Sequence, residues 1–262
     1  MNKILSKVQF SENVFKFVVE APLIARTRKA GNFVIIRIGE KGERVPLTIA
    51  DADIDKGTIT LVVQRIGLTT NRLCNLEAGD CLTDLVGPLG QPTHIEKYGT
   101  VVCAGGGVGV APMLPIIQAL KAAGNRVISV LAGRNKDLII LEDEVRKSSD
   151  EVIVMTDDGS YGKKGLVTNG IEEVILREKV DKCFAIGPAI NAVMTALGAF
   201  IEKATVMQPF LMGIIVSVVI GMVLTLPISS AAICLAIGLG GLAGGAATAG
   251  CCAQMIGFAV IS

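Results

Sequence analysis

Four stretches of this chain carry residue types suited to phosphate-bearing ligands. The first is Arg44-Val45-Pro46-Leu47-Thr48-Ile49. An arginine ahead of a proline-stiffened extended segment can hold a phosphate through a charge-assisted, bidentate pair. The backbone and hydroxyl of the residues that follow can then face a flat ring. The same pattern also serves as an edge-strand device. The second is Gly67-Leu68-Thr69-Thr70-Asn71. A glycine turn, two hydroxyls and the start of a helix offer free N–H groups to a pyrophosphate, and they equally make an ordinary helix cap. The third reads G-G-x-G-x-x-P, with Gly106, Gly107, Gly109 and Pro112. A turn without side chains at the end of a strand lets the backbone approach a pyrophosphate. The fourth is Arg134 with Lys136, one strand-helix-strand unit further on. Positive charge there favours a 2′-phosphate, hence NADP(H) over NAD(H); its plain alternative is a solvated basic loop.

Composition narrows the chemistry. The 262 residues hold 25 Lys+Arg against 24 Asp+Glu, for a net charge of +1. That balance gives no electrostatic case for nucleic acid. The single histidine, His94, argues against a His-based metal site or a Ser/His/Asp triad, so neither a catalytic side chain nor a metal ligand is assigned. The 7 cysteines are scattered without C-x-x-C spacing and read as reduced thiols. The first residues lack an apolar core of signal-peptide length, so a cytoplasmic first domain is expected.

The elements that must hold these residues divide the chain. Residues 1–95 alternate and turn like an antiparallel β domain, with strands predicted over Lys3–Ser11, Val14–Glu20, Phe33–Ile38, Thr58–Gln64 and Cys81–Val86, and a helix over Thr70–Leu76. Regular short strands suggest a small closed barrel, which removes sheet edges. Residues 96–190 change period. Strand Thr100–Ala104 opens into the glycine turn, and a helix over Pro112–Ala123 follows. Next come strand Val127–Ala132, helix Glu142–Ser148, strand Val152–Thr156, helix Val167–Arg177 and strand Cys183–Ile186. This alternation predicts a parallel sheet with right-handed crossovers. Cys183 reads as a packed thiol.

From Ala204 to Ser262 there is no charged side chain. Val206–Leu226 is long enough to cross ~30 Å of hydrocarbon, Pro227 breaks it, and a Gly- and Ala-rich stretch from Ala231 follows. Two transmembrane helices are therefore expected within residues 205–262, as a hydrophobic hairpin after a linking helix at 191–204. Lys203, Arg177 and Lys179 ahead of the first span would keep the preceding part cytoplasmic.

The order of Arg-x-Pro-x-Thr, Gly-x-Thr-Thr, Gly87-Pro88-Leu89-Gly90, G-G-x-G-x-x-P and Gly187-Pro188 resembles the ferredoxin reductase superfamily. Within it, residues 1–190 are most similar to the electron-transfer subunit of dihydroorotate dehydrogenase and to the small subunit of NADH-dependent ferredoxin:NADP oxidoreductase. The resemblance implies a β barrel that binds FAD, a parallel-sheet α/β domain that binds NAD(P)H, and a larger oxidoreductase subunit as partner. It would place Arg44 on the flavin pyrophosphate and Pro46, Leu47 and Thr48 along the isoalloxazine. Gly67, Thr69 and Thr70 would hold the FAD phosphates. Gly106, Gly107 and Gly109 would meet the nicotinamide cofactor's pyrophosphate, and Arg134 its 2′-phosphate. Asp157, Asp158, Gly187 and Pro188 would border the nicotinamide cleft. The flavin oxidoreductase chemistry implied needs no general acid or base from the protein.

Those families continue past Gly-Pro with a helix, a fifth strand and a cysteine loop for a [2Fe–2S] cluster. That pattern is missing here: the α/β domain is expected to lack its last strand, and Cys234, Cys251 and Cys252 have the wrong spacing and an apolar context for the cluster. Beyond about residue 191 the chain resembles instead a fragment of a phosphotransferase-type sugar permease, the IIC component. Two unrelated resemblances meeting near Ile190 imply a chimera. The alternative function is a membrane transport or regulatory fragment joined to an incomplete reductase.

Overall fold

The computed structural model describes residues 2–40 and 42–187. The first strands are β1 (Asn2–Ser11) and β2 (Val14–Glu20), joined by the two-residue turn Glu12-Asn13. A short helix, α1 (Pro22–Thr27), follows, with proline in its first turn, where the missing N–H has no partner to lose. Its Ile24 and Ala25 are buried in the barrel. Then come β3 (Phe33–Arg37), β4 (Val45–Asp53), β5 (Thr58–Gln64), α2 (Leu68–Cys74), β6 (Cys81–Leu82) and β7 (Asp84–Leu89). The strands join antiparallel in the order β6-β1-β2-β5-β4-β3-β7. The outermost strands, β6 and β7, are separated in sequence by Thr83 alone, so the sheet curls until its two edges nearly meet. The expected barrel is present and nearly closed.

Three sequence expectations change here. Cys81–Val86 is not one strand: it divides at Thr83, with β6 on β1 and β7 on β3. β4 was foreseen only as an extended stretch, because Pro46 and the acidic run Asp51-Ala52-Asp53 disguise its alternation. α1 was not foreseen, since six residues are too few for a helical period to show.

Leu47 and Val45 pack into the barrel core around Phe17, Ile36, Ile49 and Leu61. The opposite side of the barrel wall contributes Val14, Ala50 and Val62 to a second core shared with the α/β part. Asn32 is buried and fully used: its Oδ1 accepts from the Lys29 N–H, and its Nδ2 donates to the Leu89 and Gly90 carbonyls, pinning the end of β7.

The second sheet is parallel. It consists of β8 (Thr100–Gly106), β9 (Arg126–Gly133), β10 (Glu151–Thr156), β11 (Lys163–Lys164) and β12 (Lys182–Ile186), in the order β11-β10-β9-β8-β12. Helices α3 (Val110–Ala122) and α4 (Glu142–Ser148) cover one face, and α5 (Val167–Arg177) covers the other. Buried Val102, Ala104, Ile128, Val130 and Ile153 meet Val174 of α5. Their neighbours Val101, Cys103, Val127 and Leu131 meet α3. This is the doubly wound pattern expected of a buried parallel sheet.

Asn125 anchors the segment that leads into the parallel sheet. Its Oδ1 accepts from the Tyr98 and Gly99 N–H groups, and its Nδ2 donates to the Glu96 and Leu120 carbonyls. The side chain thus ties the connecting segment to the end of α3.

Cys183 is exposed, contrary to the packed thiol expected. It registers with Val102, so it stands on the α5 face, and α5 packs over β8, β9 and β10. Within this sheet Cys103 is the buried thiol, its pKa pushed up to about 12 by burial. Among the described residues β12 is the sheet edge. The helix at 191–204 and the hairpin at 205–262 lie outside the described residues. Within the described part, no helix is long and apolar enough to cross a membrane.

Candidate functional site

A gap in the barrel's ladder organises the site. β4 and β5 pair from Asp53–Thr58 up to Ile49–Leu61 and no further. Beyond that point β4 continues as Val45–Thr48, bonded to β3, while β5 continues as Val62–Gln64, bonded to β2. The two strands part there, and among the described residues the β5-facing backbone of Val45–Thr48 has no ladder partner.

The first of the motifs singled out by sequence lines this gap. Arg44 stands at the head of β4 with its side chain 64% exposed. Its Nη2 lies 3.7 Å from Asp84 Oδ2, which also accepts from Arg37 Nε at 2.5 Å. The Arg37 hydrogen bond, with charge from Arg37 and Arg44, holds the Asp84 carboxyl below the usual carboxylate range. Pro46 and Thr48 alternate with Val45 and Leu47 along β4. Only Pro46 and Thr48 therefore present side chains away from the barrel core, and Leu47 reaches the gap through its backbone.

α2 begins at the far side of the gap. The Thr70 hydroxyl accepts from the Ile66 and Gly67 N–H groups and donates to the Gly67 carbonyl. This closure starts the helix at Leu68, two residues ahead of the sequence expectation. Thr69 is buried, and its hydroxyl donates to Glu43 Oε2 at 3.3 Å. That bond draws the start of α2 to the head of β4, joining the first two motifs. Sequence reasoning missed Glu43, because a charge in a loop carries no periodic signal. With both hydroxyls engaged, the groups left for a ligand are the backbone N–H donors of the first helical turn. A Cβ built on Gly67 would meet nothing within 4 Å, so the backbone is open to approach.

The third motif faces the same gap. β8 ends at Gly106, and a single 3-10 turn, Gly107–Gly109, leads into α3 beside the end of β5. Gly107 has φ +54° and open space where a Cβ would stand. Such a turn is a cradle of N–H groups that a side chain would fill. Gly109 is glycine for another reason: its Cβ would lie 2.4 Å from the Ile186 carbonyl oxygen. α3 starts at Val110, so Pro112 falls in its first turn, where it costs no hydrogen bond.

Arg134, Asp157 and Asp158 stand at the carboxyl ends of β9 and β10, all exposed. Their loops are laced together: Asp157 N–H donates to Gly133 O, and Asp158 N–H to Arg134 O. The Asp158 carboxylate, held below its ordinary range by Ser160, accepts from the Ser160 N–H. Lys136 is turned aside, its ammonium 5.6 Å from the centre of the Tyr161 ring. Gly187 ends β12 against Gly106, at the point where the strand order reverses between β8 and β12. Pro188 lies outside the described residues. In open α/β sheets this carboxyl-end switch point is where ligands bind.

The donor set fits two phosphate-bearing cofactors: glycine backbones open to approach at Gly67 and Gly107, an exposed guanidinium at Arg44, and an unpaired strand edge. It does not fit a metal cluster. Among the described residues no three His, Cys, Asp or Glu side chains converge. Cys234, Cys251 and Cys252 lie outside the described residues.

Known proteins are similar to this chain in sequence and fold. The chain is 46% identical over 190 residues to the "Dihydroorotate dehydrogenase B (NAD(+)), electron transfer subunit homolog" of Thermotoga maritima, covering 72% of this chain and 67% of that one. It is 31% identical to the dihydroorotate dehydrogenase B (NAD(+)) electron transfer subunit of Fusobacterium nucleatum, covering 73% of this chain and 77% of the relative. Among solved structures, an NADH-dependent reduced ferredoxin-NADP oxidoreductase studied for flavin-based electron bifurcation superposes with a TM-score of 0.69 at 43% identity. That match covers 76% of this chain and 71% of the other. Phthalate dioxygenase reductase shares the fold at 18% identity, with a TM-score of 0.57 over 73% of this chain and 62% of its own. Residues 182–262 match the family model described as Phosphotransferase system, EIIC. The first of those residues form β12, which is bonded into the parallel sheet.

Proposed function

Because the chain belongs to the family of dihydroorotate dehydrogenase B electron-transfer subunits, whose fold is that of ferredoxin reductases, we propose that it is a flavoprotein oxidoreductase module passing electrons between NAD(P)H and FAD. The observation that carries this reading is the parting of β4 from β5, with Arg44, Gly67 and Gly107 on its rim.

We assign the flavin to the barrel, residues 1–95, and the nicotinamide cofactor to residues 96–190. Arg44 neutralises the flavin pyrophosphate, and the first turn of α2 after Gly67, shaped by Thr69 and Thr70, supplies N–H donors to it. Pro46 and Thr48, with the backbone of Leu47, form the wall for the ring. Gly106, Gly107 and Gly109 receive the second pyrophosphate. Asp157, Asp158 and Gly187 border the nicotinamide cleft, and Pro188, the fourth residue expected there, lies outside the described residues. The chemistry itself, hydride transfer between dihydronicotinamide and flavin, is supplied by the cofactors when bound. The protein's part is to orient two rings face to face and exclude water, so no titrating side chain is required at the site. A larger catalytic subunit, as in the relatives named as electron-transfer subunits, is the partner that would take the electrons onward.

The match of residues 182–262 to a permease component supports reading the chain as a chimera joined just after β12. Long-read sequencing of source DNA across codons 180–200 tests that directly. In a genuine fusion the working form is a reductase anchored to the cytoplasmic face of a membrane by residues 205–262, and release by carbonate extraction would rule the anchor out.

The functional test is reconstitution. The full chain, incubated with FAD and desalted, is expected to retain a yellow flavin that NADH or NADPH bleaches under anaerobic conditions. Failure to retain FAD would overturn the assignment.

A further inference from the structure

The barrel wall and α3 share an apolar core, with Val14, Ala50 and Val62 on one side and Val110, Leu114 and Ile117 on the other. Apolar packing fixes how closely two elements approach, but it is non-directional and does not fix how they are turned. Among the described residues, and outside the connecting segment, two side-chain hydrogen bonds cross between residues 1–95 and 96–187. One runs from Lys16 to Glu144, the other from Gln118 to Asp51. Only the second joins β4, the strand that lines the gap, to α3, the helix that follows the glycine turn.

Asp51 is firmly held at this junction. One extra residue, Ala50, stands in β4 between the Ile49–Leu61 and Asp51–Thr60 pairs. Consecutive residues of a regular strand face opposite sides, and a bulge re-aims them. Ala50 is buried in the shared core, and its neighbour Asp51 also reaches α3. Asp51 Oδ1 accepts from the Ala52 N–H at 2.9 Å, from Arg28 Nη2 at 3.2 Å and from Gln118 Nε2 at 3.2 Å. Arg28, just past α1, has a side chain only 15% exposed, and among the described residues Asp51 is its one ion-pair partner. Burial lowers the pKa of the Arg28 guanidinium, and Asp51 opposes that shift. A cation taken out of water needs its counter-ion, so Arg28 tethers the Asp51 carboxylate.

We propose that Asp51 and Gln118 are positioning residues for hydride transfer: their bond turns α3, and with it the glycine turn, against β4, so that the nicotinamide meets the flavin held at Pro46 and Thr48. The proposal rests on the reductase reading above and deepens it. Both residues stand back from the site. Asp51 is three residues along β4 from Thr48, about 10 Å, and Gln118 stands about two turns into α3. They therefore act through the two elements they join. Gln118 is a half-buried amide among the apolar residues of α3, and its donor is used across the junction.

The test uses the full chain, reconstituted with FAD and mixed rapidly under anaerobic conditions with whichever of NADH and NADPH reduces it. Gln118→Met removes the donor and keeps the bulk. It is expected to lower the limiting rate of flavin bleaching at least about tenfold, since a misplacement of about 1 Å can cost on the order of 100-fold. The long-wavelength charge-transfer absorbance of the stacked rings should fall with the rate, while FAD and ADP-ribose bind as tightly as in the unmodified chain. Gln118→Lys returns a donor to Asp51 and is expected to recover both the rate and the band. Gln118→Glu sets two carboxylates together and should recover neither. A lowered melting temperature in Gln118→Met with the rate and the band unmoved would make the bond merely structural and overturn the proposal. Loss of FAD from Gln118→Met, or a Gln118→Lys chain as slow as Gln118→Met, would overturn it too. If the unmodified chain fails to retain FAD, or retains it and is bleached by neither dinucleotide, the reductase reading itself fails and the proposal falls with it.

Discussion

Gly187 and Gly106 lie backbone against backbone: a Cβ on Gly187 would stand 3.0 Å from both the Cα and the N of Gly106. The two residues are eighty-one positions apart, at the ends of β12 and β8. Their approach brings Gly187 and the glycine turn into one rim, and no side chain fits between them.

The same closeness makes the glycines unequal. Gly109→Ala places a methyl 2.4 Å from the Ile186 carbonyl oxygen, a contact that must displace backbone. It is expected to lower stability by roughly 1–3 kcal/mol and to weaken ADP-ribose binding along with it. Gly107→Ala meets open space and suffers only its positive φ, a cost of about 1 kcal/mol. Thermal melts of both variants beside the unmodified chain check the order.

Arg44 is the exposed cation at the gap between β4 and β5, and its nearest carboxylate, Asp84, is already bonded by Arg37. Arg44→Ala is expected to weaken FAD roughly 10- to 100-fold, the worth of a charge-assisted bond of about 1.5–3 kcal/mol. The melting temperature of the cofactor-free chain should barely move, since exposed pairs contribute little. Quenching of flavin fluorescence measures the affinity.

Asn125 makes four hydrogen bonds while nearly buried. Asn125→Ala leaves the Tyr98 and Gly99 N–H groups without acceptors and is expected to cost about 2–3 kcal/mol. Urea unfolding of the variant would show it as a shifted midpoint with an unchanged slope.

Asp150 tests a pH dependence. Its Oδ1 lies 2.5 Å from Lys121 Nζ, and its Oδ2 accepts from the Val127 N–H. The Lys121 bond, then the Val127 bond, depress its pKa in the folded chain. A depressed folded pKa means the unfolded state takes up the proton first. The stabilisation is therefore complete above the ordinary value of about 3.9 and is lost as pH falls through the lower folded value. Asp150→Asn is expected to be less stable by roughly 0.5–1 kcal/mol at neutral pH, a partly exposed pair being screened. The difference should shrink below about pH 3.9. A denaturation series from pH 7 to pH 3 reads the crossover.

Much of the architecture was legible before folding because its signals are local. The βαβ period from Thr100 to Ile186, the proline in the first turn of α3 and the hairpin strands β1 and β2 follow from spacing within a dozen residues. β4 was harder: half of it pairs with β3 and half with β5, so neither half shows a full alternation. Cys81–Val86 looked like one strand because alternation runs through Thr83, while its two halves bond to opposite edges of the barrel. Cys183 looked packed because it starts its strand rather than ending it, yet the helix covering its face stops at β8.

By itself the sequence determined which residues have the chemistry: glycines where a backbone must lie open, an arginine before a stiff extended segment, hydroxyls at a helix start. These are properties of side-chain size, charge and dihedral freedom, which a residue carries wherever it goes. Only the tertiary structure decided which of them meet. The Glu43–Thr69 bond, the parting of β4 from β5, the contact of Gly106 with Gly187 and the bond from Gln118 to Asp51 all join segments distant in the chain. Such meetings are set by crossovers and packing of whole elements, and no local pattern encodes them.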